Sequence, residues 1–178
     1  MWNCAGVVLV DKEILEMKKF ISSVFIVTVI FFTAIASAQA KEGRDKELAL
    51  DFKLQDLNKN LVSLSEYKGK NAIIILFWTT WCPYCRAELN NLNQKYPQLA
   101  KEGWEVFAID VQESAVLVEA FFKKRPLSFR VLLDSDAQVA RFYGIFGVPT
   151  FILVNKEGYV VFKDNYFPED KYRELILK

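Results

Sequence analysis

The sequence predicts an α/β domain built on a mixed central sheet, and three observations carry that expectation. Two continuous apolar runs, "NAIIILFW" (71–78) and "WEVFAIDV" (104–111), read as strands buried on both faces. Each is followed by residues at helical spacing, and parallel strands need such helical crossovers. A third pair of runs, "TFILVN" (150–155) and "YVVFKD" (159–164), flanks Lys156-Glu157-Gly158 and reads as a hairpin that adds antiparallel strands at one side.

The elements follow in order. "FKLQDLNKNLVSLSEY" (52–67) alternates and turns at Asn58-Lys59-Asn60, which predicts an N-terminal hairpin. From Pro83, Leu89, Leu92, Tyr96 and Leu99 recur every three or four residues, one face of a helix over 83–101 that Gly103 closes. "SAVLVEAFFKK" (114–124) predicts a second helix, stopped near Pro126, and "FRVLLD" (129–134) a short strand. "SDAQVARFYG" (135–144) reads as a helix with a Ser or Asp cap and a Gly stop, and a last helix is expected from about Pro168.

Ahead of this domain, assigned to 41–178, lies a leader. Met17-Lys18-Lys19 precedes the uncharged apolar run 20–36, and Ala36-Ser37-Ala38 and Ala38-Gln39-Ala40 both fit small-x-small cleavage. A basic flank, an apolar stretch and small residues make 17–40 a signal peptide or, if kept, a membrane anchor with a tether through 20–36. Either way the rest is exported, to the periplasm or another extracytoplasmic space. Residues 1–16 carry Asp11, Glu13 and Glu16 where export signals prefer a short basic start, so they read as a start-site artefact. Cys4 then falls outside the exported chain.

Composition removes several function classes. The 178 residues include 23 Lys and Arg against 22 Asp and Glu, a balance that gives no basic footprint for nucleic acid. Histidine is absent, so neither a Ser-His-Asp nor a Cys-His apparatus can be built. Cys82 and Cys85 form one Cys-x-x-Cys pair. Zinc wants four ligands and usually a second pair or histidines; covalent haem wants a histidine after the second cysteine, where Arg86 stands; an iron–sulfur cluster wants more cysteines. No metal or cofactor is expected.

A permanent staple is also poorly served, because a bridge over two intervening residues constrains the unfolded chain very little. A working redox couple fits better. Cys82 sits where the strand loop meets the helix, and Pro83 suits the first helical turn, where a missing N–H does no harm. The helix N-terminus favours an anion and can lower a cysteine pKa from about 8.5 to roughly 3.5–7.5. Cys85, one turn on, lies deeper but within reach, so the pair can cycle between dithiol and disulfide.

At this point the residues carry a family likeness. "FWTTWCPYCRAEL" (77–89) resembles the active-site signature of the thioredoxin fold, and the span from about Leu48 to Lys178 resembles its exported TlpA/ResA-type branch of thiol–disulfide oxidoreductases. The hairpin before the core, the helix near 114–124 and "VLLDSDAQVARFYGIFGVPTFILVNKEG" (131–158) match independently. The resemblance implies a thioredoxin-like fold with an N-terminal hairpin extension. It also implies that Pro149 is cis and lies beside the cysteines, turning the Val148 backbone outward for an extended substrate segment. Trp78 and Trp81 are expected to shield and pack the cysteine loop. Substrate contacts are expected from Trp81, Pro83, Tyr84, Val148 and Pro149.

Glu88, three residues after Cys85, matches an acidic position of that branch implicated in moving the proton of the second cysteine; Leu76 stands where ordinary thioredoxins carry a buried aspartate. Glu88 is thus a candidate general base, or else a solvated carboxylate pairing with Arg86 or Lys95. The implied activity is disulfide exchange with protein clients, as a reductant, for example of apocytochrome c cysteines, fed by a membrane thiol reductase. The same atoms could run as a disulfide-forming oxidant. A peroxiredoxin-like peroxidase is a further alternative, since Thr79-x-x-Cys82 partly imitates its site, although Ile75 stands where that site expects proline; a redox-inert binding module is the last.

Overall fold

A computed structural model of the chain describes residues 47–177. The leader 17–40, the extension 1–16 and the lead-in 41–46 lie outside the described residues. Among the described residues no helix is long and apolar enough to cross a membrane.

The hairpin comes first. Strands β1 (Lys53–Asp56) and β2 (Leu61–Ser63) pair antiparallel. Asp56 closes the loop between them, its Oδ1 accepting from Asn58 N–H and Asn60 N–H at 2.8 Å each. Lys59 takes the left-handed conformation that this tight turn needs. A 3₁₀ turn, Leu64–Tyr67, leads into β3 (Ala72–Trp78), all of whose residues are buried. The long helix α1 (Pro83–Lys101) returns the chain to β4 (Trp104–Val111), parallel to β3. Helix α2 (Ala115–Phe122) crosses to β5 (Arg130–Asp134), parallel to β4. Short α3 (Gln138–Phe142) precedes β6 (Thr150–Val154), β7 (Val160–Asp164) and α4 (Tyr172–Leu175).

The sheet order is β2-β1-β5-β4-β3-β6-β7, mixed as expected, with β6 and β7 antiparallel. β1 pairs antiparallel with β5, so the N-terminal hairpin extends the edge opposite β7. Strand alternation sorts the core. Ile74, Leu76 and Trp78 face α1, α2 and α4 through Leu89, Leu92, Leu99, Val118 and Tyr172. Ile73, Ile75 and Phe77 face Phe52, Val62, Val139 and Tyr143 on the other side. Each such aliphatic or phenyl side chain contributes about 1.5–3 kcal/mol by leaving water.

Two expectations need correction. The helix foreseen over 135–144 is confined to Gln138–Phe142, and Ala137 holds the N-cap position, although Asp136 Oδ1 does accept from the first helical N–H, that of Gln138, at 3.2 Å. Ala137 turns left-handed, and Asp134, wholly buried at the end of β5, accepts from Val139 N–H at 3.1 Å and Ala140 N–H at 2.8 Å. A buried carboxylate needs donors, and the orphan amides of the helix start supply them. The last helix starts at Tyr172, four residues later than expected, after a turn in which Tyr172 N–H donates to Pro168 O.

Candidate active site

The strand β3 ends at Trp78, and Thr79, Thr80 and Trp81 turn the chain into α1. Cys82 is the N-cap, with extended backbone, and Pro83 occupies the first helical turn, where no N–H is wanted. Cys82 and Cys85 are joined in a disulfide with their Cα atoms 5.3 Å apart. The Cys85 N–H donates to Cys82 Sγ at 3.1 Å, so an orphan amide of the helix start is aimed at that sulfur. Cys82 retains 3 % of its surface exposed and Cys85 none; the outer and inner sulfurs are therefore ordered as expected.

The Val148–Pro149 peptide is cis, and Val148 O lies 3.8 Å from Cys82 Sγ. The loop around it is braced: Thr150 Oγ1 donates to Gly147 O at 2.7 Å, and Asn165 Nδ2, just beyond β7, donates to Pro149 O at 2.8 Å. Among the described residues nothing accepts from the Val148 N–H. The β6 strand that follows runs antiparallel beside β3, which is how residues some sixty positions apart meet.

The two tryptophans behave differently. Trp78 is sealed in the core against Phe121 and Phe122, with ring centroids 5.4 and 5.2 Å away. Trp81 does not pack as expected; it is 69 % exposed, because its backbone lies on the turn beyond the sheet. Tyr84 is 77 % exposed and Phe146 fully so, giving three bare rings around the cysteines. A groove of about 540 Å³ runs beside them, lined by Thr79, Trp81, Glu113, Phe146 and Val148 among others. Pro83 is exposed, and Val148 and Pro149 are half-buried.

Glu88 is half-buried on α1, and among the described residues it has no ion pair. Lys95, offered as a partner, pairs with Glu169 instead.

Sequence reasoning missed a second pair of carboxyls. Asp110, near the end of β4, is wholly buried and in register with Trp78. Glu113, three residues on, holds the cysteine turn: Thr80 N–H donates to its Oε2 at 2.5 Å and Thr80 Oγ1 to its Oε1 at 2.7 Å. Burial, with Glu113 adding to it, pushes the Asp110 pKa up to about 8. Burial would raise Glu113 as well, but hydrogen bonds from Asp110 and Thr80 outweigh it and hold its pKa below the ordinary value. The available signal was a lone acid inside the otherwise apolar "WEVFAIDV". Phe146 and Asn165 were also missed; neither stands out from its neighbours before the fold is known.

Residues 46–163 match the AhpC/TSA family. The chain is 38% identical over 120 residues to the thiol-disulfide oxidoreductase ResA of Bacillus subtilis, covering 67% of this chain and 65% of that protein. It is 34% identical over 113 residues to ResA of Bacillus thuringiensis subsp. konkukian, covering 64% of this chain and 65% of that protein. The chain thus spans just under two thirds of the length of the curated relatives it matches. Among solved structures it is similar to the thioredoxin domain of a thiol-disulfide oxidoreductase from Bacteroides vulgatus, with a TM-score of 0.64 and 26% identity. That likeness covers 73% of this chain and 94% of the other, and the fold is thioredoxin-like.

Proposed function

The chain belongs to the AhpC/TSA family, and from that premise we propose that it is a thiol–disulfide oxidoreductase exchanging disulfides with protein clients outside the cytoplasm. The observation that carries this reading is the Cys82–Cys85 disulfide at the start of α1, with a helix amide aimed at the outer sulfur. In the dithiol form the Cys82 thiolate attacks one sulfur of a client disulfide. The client S–S bond breaks, one client thiolate leaves and takes up a proton, and a mixed disulfide forms. Cys85 then loses its proton and attacks Cys82 Sγ, releasing the second client thiol. Two electrons have passed to the client, and the pair is left in its oxidised state.

Glu88 is the general base we assign to Cys85. The client binds over the groove that Trp81 and Val148 line, with Pro83, Tyr84 and Pro149, their neighbours in the chain, as further contacts. There the open Val148 N–H supports pairing with an extended segment, like an added strand. We favour the reducing direction, with a membrane thiol reductase as electron donor and apocytochrome c cysteines as one client class. Residues 17–40 serve export, as a cleaved signal peptide or a retained anchor, ahead of a domain over 41–178. Translation starts at Met17; a precursor peptide containing Trp2 or Cys4 would remove that assignment.

The test is reduction of insulin disulfides by the dithiol form. Cys82→Ser abolishes it, whereas Cys85→Ser attacks once and stays bound as a mixed disulfide, which identifies natural clients by mass spectrometry. A reduced wild-type protein inert towards every protein disulfide offered would sink the reading. One observation favours peroxide chemistry instead: the buried Thr79 Oγ1 has no hydrogen-bond partner among the described residues. Sustained hydrogen peroxide turnover without a dithiol donor partner would move the assignment there.

A further inference from the structure

Asp110 is a polar group in a place built for apolar ones. Trp104, Val106 and Ala108 of β4 face the layer that carries α1 and α2, and alternation puts Asp110 next in that row, beside Trp78. Its exposure is nil, and no side-chain N–H or hydroxyl among the described residues satisfies its carboxyl oxygens; the backbone N–H of Glu113 is the donor near it. The titratable groups around it are acidic. Glu113 stands on the loop into α2, and Asp134, at the end of β5, is already engaged by the Val139 and Ala140 amides. α1 carries the cysteine pair and half-buried Glu88; α2 turns Val118, Phe121 and Phe122 inward, none of them titratable, and leaves Glu119 exposed.

We propose that Asp110 and Glu113 share one proton and together form a positioning clamp on the turn that presents Cys82. Neutral Asp110 donates its O–H to Glu113, and Glu113, fixed as the carboxylate, takes both the N–H and the hydroxyl of Thr80. Thr80 lies two residues before Cys82, so the clamp sets where the helix start and its sulfur stand. Removal of the proton leaves two like charges facing each other in a buried place, which the pair relieves by releasing the turn. Burial and Glu113 place that loss near pH 8. The positioning role rests on the reading of Cys82 as the attacking sulfur; the shared proton does not.

The experiment is an NMR titration of the oxidised full chain from pH 6 to 10, following the Asp110 carboxyl carbon and the Thr80 amide proton. The disulfide removes thiol titration from the record. The Asp110 carbon should titrate near pH 8, and the Thr80 amide should shift upfield with the same midpoint. In Asp110→Asn, whose amide still donates but does not ionise, the Thr80 step should be lost. In Glu113→Gln the Asp110 carboxyl should titrate at lower pH. An Asp110 carboxyl already ionised at pH 6, a Thr80 proton indifferent to it, or an unchanged step in Asp110→Asn each overturns the shared proton. The second arm is insulin reduction over the same range. The ratio of the wild-type rate to that of Asp110→Asn should fall through the same midpoint; a constant ratio overturns the positioning role. A wild-type protein with no reductase activity removes the proposed function, while the titration still decides the clamp.

Discussion

Reduction of the Cys82–Cys85 bridge separates a redox couple from a staple by its effect on stability. The bridge spans a sequence separation of three. Chain-entropy reasoning then gives about 2 kcal/mol for so small a ring, against about 3 kcal/mol for a fifteen-residue loop. Reduction also restores an anion at the N-terminus of α1, where the Cys85 amide and the helix dipole favour it by about 0.3–2 kcal/mol. The two effects oppose each other, so the oxidised form should exceed the reduced form by no more than about 2 kcal/mol at neutral pH. Urea unfolding of both forms, with the reduced one kept in dithiothreitol, measures the difference from midpoint and slope. The gap should widen as pH falls, because a thiolate preferred in the folded state lends stability that is lost on protonation. An oxidised form ahead by about 4 kcal/mol or more, the scale of a structural bridge, refutes this reasoning and with it the idea of a freely cycling pair.

Three further outcomes are expected. Asp110 has its pKa raised to about 8 from an ordinary 3.8, so the folded state holds a proton that the unfolded state gives up, and that stabilisation is lost as pH rises between those values. Asp110→Asn should therefore gain on the wild type by up to about 1.4 kcal/mol per pH unit across this window and level off above it, as read by urea midpoints. Glu113 shifts downward, so its share is lost only on acidification. Glu88→Gln should slow release of the mixed disulfide by roughly the 10²–10⁴-fold range of a lost general base, measured by single-turnover quench; unchanged release removes the role. Trp81→Ala combined with Phe146→Ala should raise KM for protein disulfides while leaving the urea midpoint within about 0.5 kcal/mol, since both rings are bare in the free protein.

Legibility followed the range of the interactions. The buried strands and α1 were readable because apolar spacing is local, and Cys82 as N-cap followed from Pro83 and the periodic leucines after it. The docking of β1 on β5 was not, because nothing near Lys53 names a partner almost eighty residues away. Asp136 takes only the first amide of α3, and Asp134 takes the next two because its carboxylate reaches over the turn from a buried strand end. The cis peptide at Pro149 came from resemblance and not from local chemistry. Asp110 was visible as an anomaly, but its meaning needed Glu113 and Thr80 brought together by the fold.

The Asn165 brace divides the site between two parts of the chain. On the proposed reading the reacting sulfurs belong to the start of α1, with Trp81, Pro83 and Tyr84 beside them, whereas Val148 and Pro149 lead into β6 and are braced by Asn165 just beyond β7. Antiparallel pairing from Ile73 to Phe77 holds these halves in register without sharing a single side chain of the rim. On that reading, changes at the exposed Phe142 and Phe146 should retune which proteins are recognised, whereas changes at Val148, whose carbonyl lies 3.8 Å from Cys82 Sγ, should reach the sulfur as well.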